Sequence, residues 1–430
     1  MNRLLPYLFS CLLLPLLLAC AAQDEPAPTV GYYHAYAPRL MARATLEESV
    51  AALPAQAMHQ TGKIYKQGHY LFINEPYEGI HVIDNRNPAQ PRPVSFLRIP
   101  GNVDMAMKGS LLYADNGPDL VAIDVSNPEA VQVRGRVRDA FRELPAPAWQ
   151  PITEAGRPEN RPDNSVVVGW QIVRVEYKIN QYRGGWGCFG DGGAYVSMAS
   201  SSMPGAAAVP AGATGKAGSM ARFAVLGDNL YAVDDQSLRL FDLRSPATPT
   251  MGVRLPLSIG IETIFPKDHY LFLGTQRGMY IFDVAQPQSP APVAYYEHVV
   301  SCDPVVVADR YAYVTLRNGR SCGGGPNQLQ VIDLTTLSQP TLARSYPMSG
   351  PQGLGADGNR LFVCDADELK VFDTSQAPLL TPQQSFPVKV VDVIPDDGTL
   401  LAIGAAGLYQ YRYTGATLEQ LSMLPITPLP

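Results

Sequence analysis

The chain has 430 residues, a formal net charge of −6 and only 17% charged residues. So sparse and acidic a charge argues against nucleic acid as a partner. Its 37 glycines and 39 prolines suit a turn-rich all-β protein, and about 400 residues can bury a core that needs no disulfide to hold it.

Residues 1–19 are expected to form a leader. Arg3 supplies a positive start, and Leu4 to Leu18 is an apolar run interrupted by Pro6, Ser10 and Pro15. The run is too short for a bilayer span of roughly twenty residues and has the form of a signal-peptide core. It ends Leu17-Leu18-Ala19-Cys20, which resembles the bacterial lipobox. The resemblance implies cleavage after Ala19 and lipidation of Cys20, and several acyl chains on one cysteine would anchor the chain stably. Ala21 and Ala22 follow in place of aspartate, which resembles the outer-membrane sorting pattern of Gram-negative lipoproteins. Residues 20–38, rich in Ala, Pro and Tyr, are expected to be a tether. A short helix is predicted over 44–50, where Thr45 and Glu48 have capping-box spacing.

From residue 39 onward a phrase of about forty residues recurs. Apolar residues lead to Asp, one or two spacers, and then often Pro. The clear copies centre on Asp84, Asp124, Asp242, Asp283, Asp333 and Asp373, with steps of 40, 118, 41, 50 and 40. The long step is one repeat plus an insertion, taken as 141–219. A seventh copy, Leu408 to Tyr413, lacks the Asp. Upstream of each phrase runs an apolar–aromatic strand: Tyr70–Ile73, Leu111–Ala114, Leu230–Val233, Tyr270–Leu273, Tyr311–Val314, Leu361–Cys364 and Leu400–Ile403. Such short β-branched and aromatic runs between turn residues are strand signals. Four strands per repeat make a propeller blade. The predicted fold is an all-β, seven-bladed β-propeller over 39–430, with the insertion between blades 2 and 3. The recurring Asp, followed by Ser or Asn and then Pro, points to a turn-capping role rather than to metal binding.

Gly79-Ile80-His81-Val82-Ile83-Asp84 and Leu329-Gln330-Val331-Ile332-Asp333 resemble the bacterial LVIVD-repeat family of propellers. Asn102-Val103-Asp104-Met105-Ala106, Cys302-Asp303-Pro304 and Cys322-Gly323-Gly324 are similar to its lipoprotein branch. The resemblance implies a fold and a surface location, not a reaction.

In a blade the strands alternate in direction, so the start of the first strand and the loop between the second and third lie on one face. That places Cys302 near Cys322, and a disulfide between them is predicted in this exported chain. Cys364, within a strand, is expected to be a small buried hydrophobe, and the pairing of Cys188 is open. The same face collects Asp104, Arg222, Glu262, Asp303 and Asp392 at first-strand starts, and Glu75, Tyr77, Asn116, Arg277, Arg317 and Asp365 in the loops. This is the candidate binding face, since loops on a rigid scaffold carry binding. Its bland alternative is a ring of solvated loop ends. Asp104, Glu262, Asp303 and Asp392 offer hard oxygen ligands for an axial cation, but no spacing fixes a coordination shell, so no cofactor is expected.

The insertion holds Trp149, Trp170 and Trp186, a strand-like stretch from Val166 to Ile179, and a Gly/Ala/Ser-rich end. It is either a lid or partner-binding arm, or a decorative loop. No metalloprotease, nucleophile-elbow or phosphate-loop pattern is present. Two readings of function follow. One is a non-enzymatic envelope module that binds a protein or glycan. The alternative is a propeller hydrolase or lactonase with a metal and carboxylates at the axis.

Overall fold

The second strand of each repeat is apolar because both of its faces are covered. Leu71–Glu75 and Leu400–Gly404, for example, are wholly buried. The third residue of this strand is aromatic in six repeats: Phe72, Tyr113, Tyr231, Phe272, Tyr313 and Phe362. All are among the largest fully buried side chains, and Leu401 takes the seventh place. They fill the wedge-shaped space between neighbouring blades. The outermost strands, such as Ala291–Glu297, pair on one edge only and are largely exposed.

The computed structural model describes residues 30–147, 151–178, 216–258, 260–299, 301, 304–319 and 324–427. It shows seven antiparallel sheets in sequence order, a seven-bladed β-propeller. We name the strands of a blade A to D from the axis outward. The A strands are Ile64–Gln67, Met105–Lys108, Phe223–Leu226, Ile261–Lys267, Val305–Ala308, Pro351–Asp357 and Asp392–Asp396. The insertion separates blades 2 and 3, as expected.

The recurring Asp closes the turn from C to D. Its Oδ1 accepts the backbone N–H two residues on in six blades: Arg86 to Asp84 (3.1 Å), Ser126 to Asp124 (3.0 Å), Arg244 to Asp242 (2.9 Å), Ala285 to Asp283 (2.8 Å), Thr335 to Asp333 (2.7 Å) and Ser375 to Asp373 (2.7 Å). These are Asx turns. In blade 7 Arg412 stands at this register opposite Thr399, and strands Gly407–Thr414 and Thr417–Pro425 run on as one long hairpin. The turns also join blades, because their prolines present carbonyls to the preceding blade. Ser95 donates to Pro128 O (2.6 Å), Tyr113 to Pro246 O (2.8 Å), Tyr346 to Pro378 O (2.9 Å) and Ser422 to Pro88 O (2.6 Å).

Among the described residues, no strand is exchanged between the first and last blades to close the ring. Blade 1 gains strand Ala51–Pro54 on its outer edge and Lys216–Ala217 on its inner edge. Its junction with blade 7 is packed by Met58, Ile64, Ile73, Ile394, Leu401 and Ile403. Gln410 donates to Asn85 across it (2.7 Å), and Thr427 N to Met58 O (2.8 Å).

Strand C opens on glycine in blades 1, 4 and 7. A Cβ there would stand 2.0 Å from Leu97 O at Gly79, 2.2 Å from Tyr296 O at Gly278, and 2.0 Å from Leu424 O at Gly407. Gly79 also holds φ at +152°. Gly79→Ala is therefore expected to cost about 3 kcal/mol or more through forced backbone displacement. Gly68→Ala, at φ +57° with open space around it, should cost only about 1 kcal/mol. The urea midpoints of the two variants check this.

The expected tether holds structure in its second half. Val30–Ala42 pair antiparallel with Ser165–Lys178, from Val30 opposite Lys178 to Ala42 opposite Ser165. The second strand matches the predicted stretch; its partner was not foreseen. The helix runs Arg43–Glu47, with Ala42 at its N-cap and no side-chain cap. Thr45 thus lies inside the helix rather than capping it, and Ser49 closes the end instead, its Oγ donating to Leu46 O (2.7 Å). Cys364 is buried and free. Cys20, Cys188, Cys302, Asp303 and Cys322 lie outside the described residues, and the predicted lipidation and disulfide with them.

Candidate functional site at the propeller axis

The chain returning from the insertion enters the axial channel. Lys216 and Ala217 pair with Lys66 and Tyr65 of blade 1. Ser219 donates to Asp392 Oδ1 of blade 7 through both N (3.0 Å) and Oγ (2.9 Å), and Oγ accepts Leu354 N of blade 6 (2.7 Å). Lys63 Nζ donates to Met220 O (2.7 Å), and Ile264 N of blade 4 to Ala221 O (3.0 Å). Arg222 N donates to Asp104 Oδ2 at the start of blade 2. Segment Lys216–Arg222 is thus held by the inner edges of five blades. At Gly218 there is no room for a side chain: a Cβ there would lie 2.0 Å from Asp392 Oδ2.

The charged groups beneath this segment are buried and crowded. Asp104 also accepts Met105 N (2.7 Å) and stands 3.4 Å from Lys63 Nζ. Burial lowers the Lys63 pKa, against the pull of Asp104. Burial raises the Asp392 carboxyl to about 7, opposed by the hydrogen bonds from Ser219 and Val393. It raises Asp115 to about 7 as well, opposed by the N–H groups of Asp104 and Val103.

The candidate binding-face residues fall into two sets. Asp104, Arg222, Glu262 and Asp392 do gather at the axis. Glu262 accepts Gln276 Nε2 (3.0 Å), and Arg222 has a buried Nε without a hydrogen-bond partner among the described residues. Most of the loop residues serve the scaffold. Glu75 binds His81 Nε2 (2.6 Å), and Asn116 donates to Pro100 O (2.7 Å). Asp365 accepts Ser349 N (2.9 Å), Gly350 N (2.7 Å) and Lys370 Nζ (2.5 Å). The Tyr77 carbonyl accepts Gly101 N (2.9 Å) between blades 1 and 2. Arg317 donates to Gln352 Oε1 (3.3 Å), its pKa lowered by burial, and Arg277 is exposed. Among the described residues, no three His, Cys, Asp or Glu side chains form a metal-holding group.

The axial segment leans on blade 1 and leaves the channel beside blades 4 to 7 unfilled. A cavity of about 370 Å³ opens there, at the A–B-turn end and so on the face opposite the candidate one. Ser219, Phe265, Val306, Leu354 and Val393 form its floor, with Lys216, Lys267, Asp309 and Asp357 around it. Lys216 is fixed by Asp396 (2.6 Å), which Lys66 also binds. Burial would raise the Asp396 pKa, but the two lysines outweigh it and hold it low. Lys267 has no ion-pair partner among the described residues. Sequence reasoning missed this cavity, since its lining is ordinary strand sequence and only the off-centre segment creates it.

The LVIVD repeat family matches residues 103–139 and 301–347. The chain carries LVIVD repeats. The two matched stretches span blade 2 and blade 5 from first strand to last. No curated protein matches the chain in sequence. Among solved structures it is similar to a functionally unknown protein from Desulfotomaculum acetoxidans, with TM-score 0.51, 10% identity, and coverage of 84% of this chain and 98% of that one. It is also similar to the Pseudomonas aeruginosa periplasmic gluconolactonase PpgL, with TM-score 0.49, 11% identity and coverage of 84% and 96%. BamB from Moraxella catarrhalis gives TM-score 0.45, 10% identity and coverage of 86% and 97%. At such identities the likeness is one of fold alone.

Proposed function

We propose that this chain is a lipoprotein held at the outer membrane through acylated Cys20, and that its propeller binds an envelope protein or glycan without covalent chemistry. The observation that carries this reading is the segment Lys216–Arg222 lying over the axial carboxylates. Two of the four carboxylates a hydrolytic metal would draw on, Asp104 and Asp392, accept backbone N–H groups of the axial segment instead. What remains for a ligand is the cavity on the other face. Its volume lies near the lower end of typical small-molecule pockets, roughly 300–1,000 Å³. An apolar floor ringed by two amines and two carboxylates suits a sugar unit or a peptide side chain with its polar groups at the mouth.

The test uses the lipid-free chain with soluble envelope glycan fragments and envelope-protein peptides, followed by thermal shift. At least one class should raise the melting temperature. Lys267→Ala, which removes the amine at the mouth that has no ion-pair partner among the described residues, should weaken that shift while leaving the unliganded midpoint within a few degrees. Hydrolysis of a lactone and ester panel, abolished by EDTA and by Asp392→Asn, would overturn the reading in favour of the hydrolase.

A further inference from the structure

The ribbon formed by Val30–Ala42 and Ser165–Lys178 is anchored at one end only. Its root packs on blades 1 and 2: Val167 and Val168 are buried, Val168 lies beside Gly101, and Val167 beside Gly117. Near Tyr36 the ribbon gains a third chain, with Tyr36 N donating to Pro151 O (2.8 Å) and Thr153 N to Tyr36 O (2.9 Å). Beyond that point it is two strands alone among the described residues. An isolated pair of strands is marginal in water.

That outer end carries an unusual surface. Tyr32 (51%), Tyr33 (41%) and Tyr177 (50%) are exposed there, and Ile172 (51%), opposite Tyr36, is exposed at its base. Of the four tyrosines among the exposed large apolar side chains of the described residues, three are on this ribbon and only Tyr295 is elsewhere. The register divides the ribbon into two faces. Tyr32 and Glu176, His34 and Arg174 are opposite pairs on one face, and Arg174 lies over the Tyr32 ring at 3.6 Å. Gly31 and Tyr177, Tyr33 and Val175, Ala35 and Val173 are opposite pairs on the other, which carries no charge from Gly31 to Ala37; its Tyr33 and Tyr177 rings meet at 6.0 Å. Tyrosines with polar and basic neighbours are the side chains that settle at a membrane–water interface.

The chain's course names the occupant. Val30 is the outermost register position of the ribbon, and Cys20 lies ten residues before it. Ten residues span at most about 35 Å when fully extended. We infer that the tip of the ribbon, through Tyr32, Tyr33 and Tyr177, docks on the lipid bilayer surface and orients the propeller there. The inference rests on the lipid anchor at Cys20 proposed above. The ribbon is rooted on the face of A-strand starts and B–C loops, so docking holds that face toward the membrane and leaves the axial cavity open to the aqueous side.

The experiment reconstitutes the full lipidated chain in phosphatidylethanolamine–phosphatidylglycerol vesicles and maps hydroxyl-radical labelling by mass spectrometry. Flotation with the vesicles reads the anchor separately. Labelling of Tyr32, Tyr33 and Tyr177 should fall several-fold relative to the soluble Cys20→Ala chain, with Tyr295 unchanged. The variant Tyr32→Ser, Tyr33→Ser, Tyr177→Ser should still float, but the exposed His34 beside them should show its soluble-state labelling, in contrast to its protection in the lipidated parent. A chain that fails to float removes the anchor and this proposal together. A chain that floats with its tyrosines fully labelled overturns the docking alone. Protection already present in the Cys20→Ala chain without lipid would assign the tip to another part of the chain or a second copy, and would also overturn it.

Discussion

Asp392→Ala is expected to lower stability by about 3–5 kcal/mol, the scale of a broken buried polar cluster. One carboxylate oxygen takes three donors there: Ser219 N–H, Ser219 O–H and Val393 N–H. Alanine leaves all three buried without an acceptor. Each orphaned group costs about 1–3 kcal/mol, and no water-sized detour is at hand because Ser219 is 2% exposed. One effect opposes this. The carboxyl is itself disfavoured by burial, so removing it returns part of the loss. Asp392→Asn separates the two, since it keeps an acceptor and cannot ionise. It should stay within about 1 kcal/mol of the parent. Urea midpoints at pH 4, where Asp392 is protonated in the folded chain and only about half ionised in the unfolded one, give the magnitudes, and amide exchange at Met220–Arg222 locates the effect. Those amides should exchange much faster in the alanine variant and near normally in the asparagine one. Equal, mild effects in both would mean that Asp392 does not hold the axial segment.

The blades were legible because each repeats two local devices that need no distant partner. One is a strand whose central residues are apolar because both its faces are covered. The other is an Asx turn whose Asp precedes its N–H partner by two residues. Blade 7 lost the second device, with Arg412 in place of Asp, and was legible only by period. The ribbon was not legible. Its strands are more than a hundred residues apart, and Ala, Pro and Tyr in Val30–Ala42 have the composition of a tether. The axial segment hid in a Gly/Ala/Ser-rich stretch, although small residues are what a narrow channel selects. The candidate face was misleading in part for a readable reason. The sixth residue of strand B is polar in five blades: Glu75, Asn116, Asp234, Thr275 and Asp365. In each it is bound within the fold, as Asp234 accepts Gln236 N (2.9 Å) and Thr275 Oγ1 accepts Arg277 N (3.2 Å). Recurrence at one register is the mark of scaffold, whereas a ligand site is asymmetric. Arg222, which no other blade repeats, fits the second description better.

The second large effect is on pH. Asp115 and Asp392 titrate near 7 in the folded chain, against an ordinary value of 3.8. The cause in both is burial, beside Asp104 and Arg222 for Asp115 and beside Lys63 for Asp392. Between about pH 4 and 7 the folded state keeps these protons while the unfolded state has released them. Stability therefore falls as pH rises through that window and levels off above it. The turn aspartates act in the other direction. Asp84, Asp242, Asp333 and Asp373 are held below the ordinary range, and Asp124 at about 2, by hydrogen bonds from the residue two on and, at Asp84, Asp124 and Asp242, from arginines. Their contribution is present above about pH 4 and is lost as pH falls further. Lys63, lowered by burial, adds stability only on the alkaline side, as pH rises toward 10.5. The maximum should thus sit near pH 4–5, and the urea midpoint should drop steadily from pH 5 to 7.5. Asp115→Asn with Asp392→Asn removes both groups and should flatten that slope while leaving the acid limb below pH 4 in place. A midpoint that climbs from pH 5 to 7.5 in the parent would show that the hydrogen bonds on these carboxylates outweigh their burial.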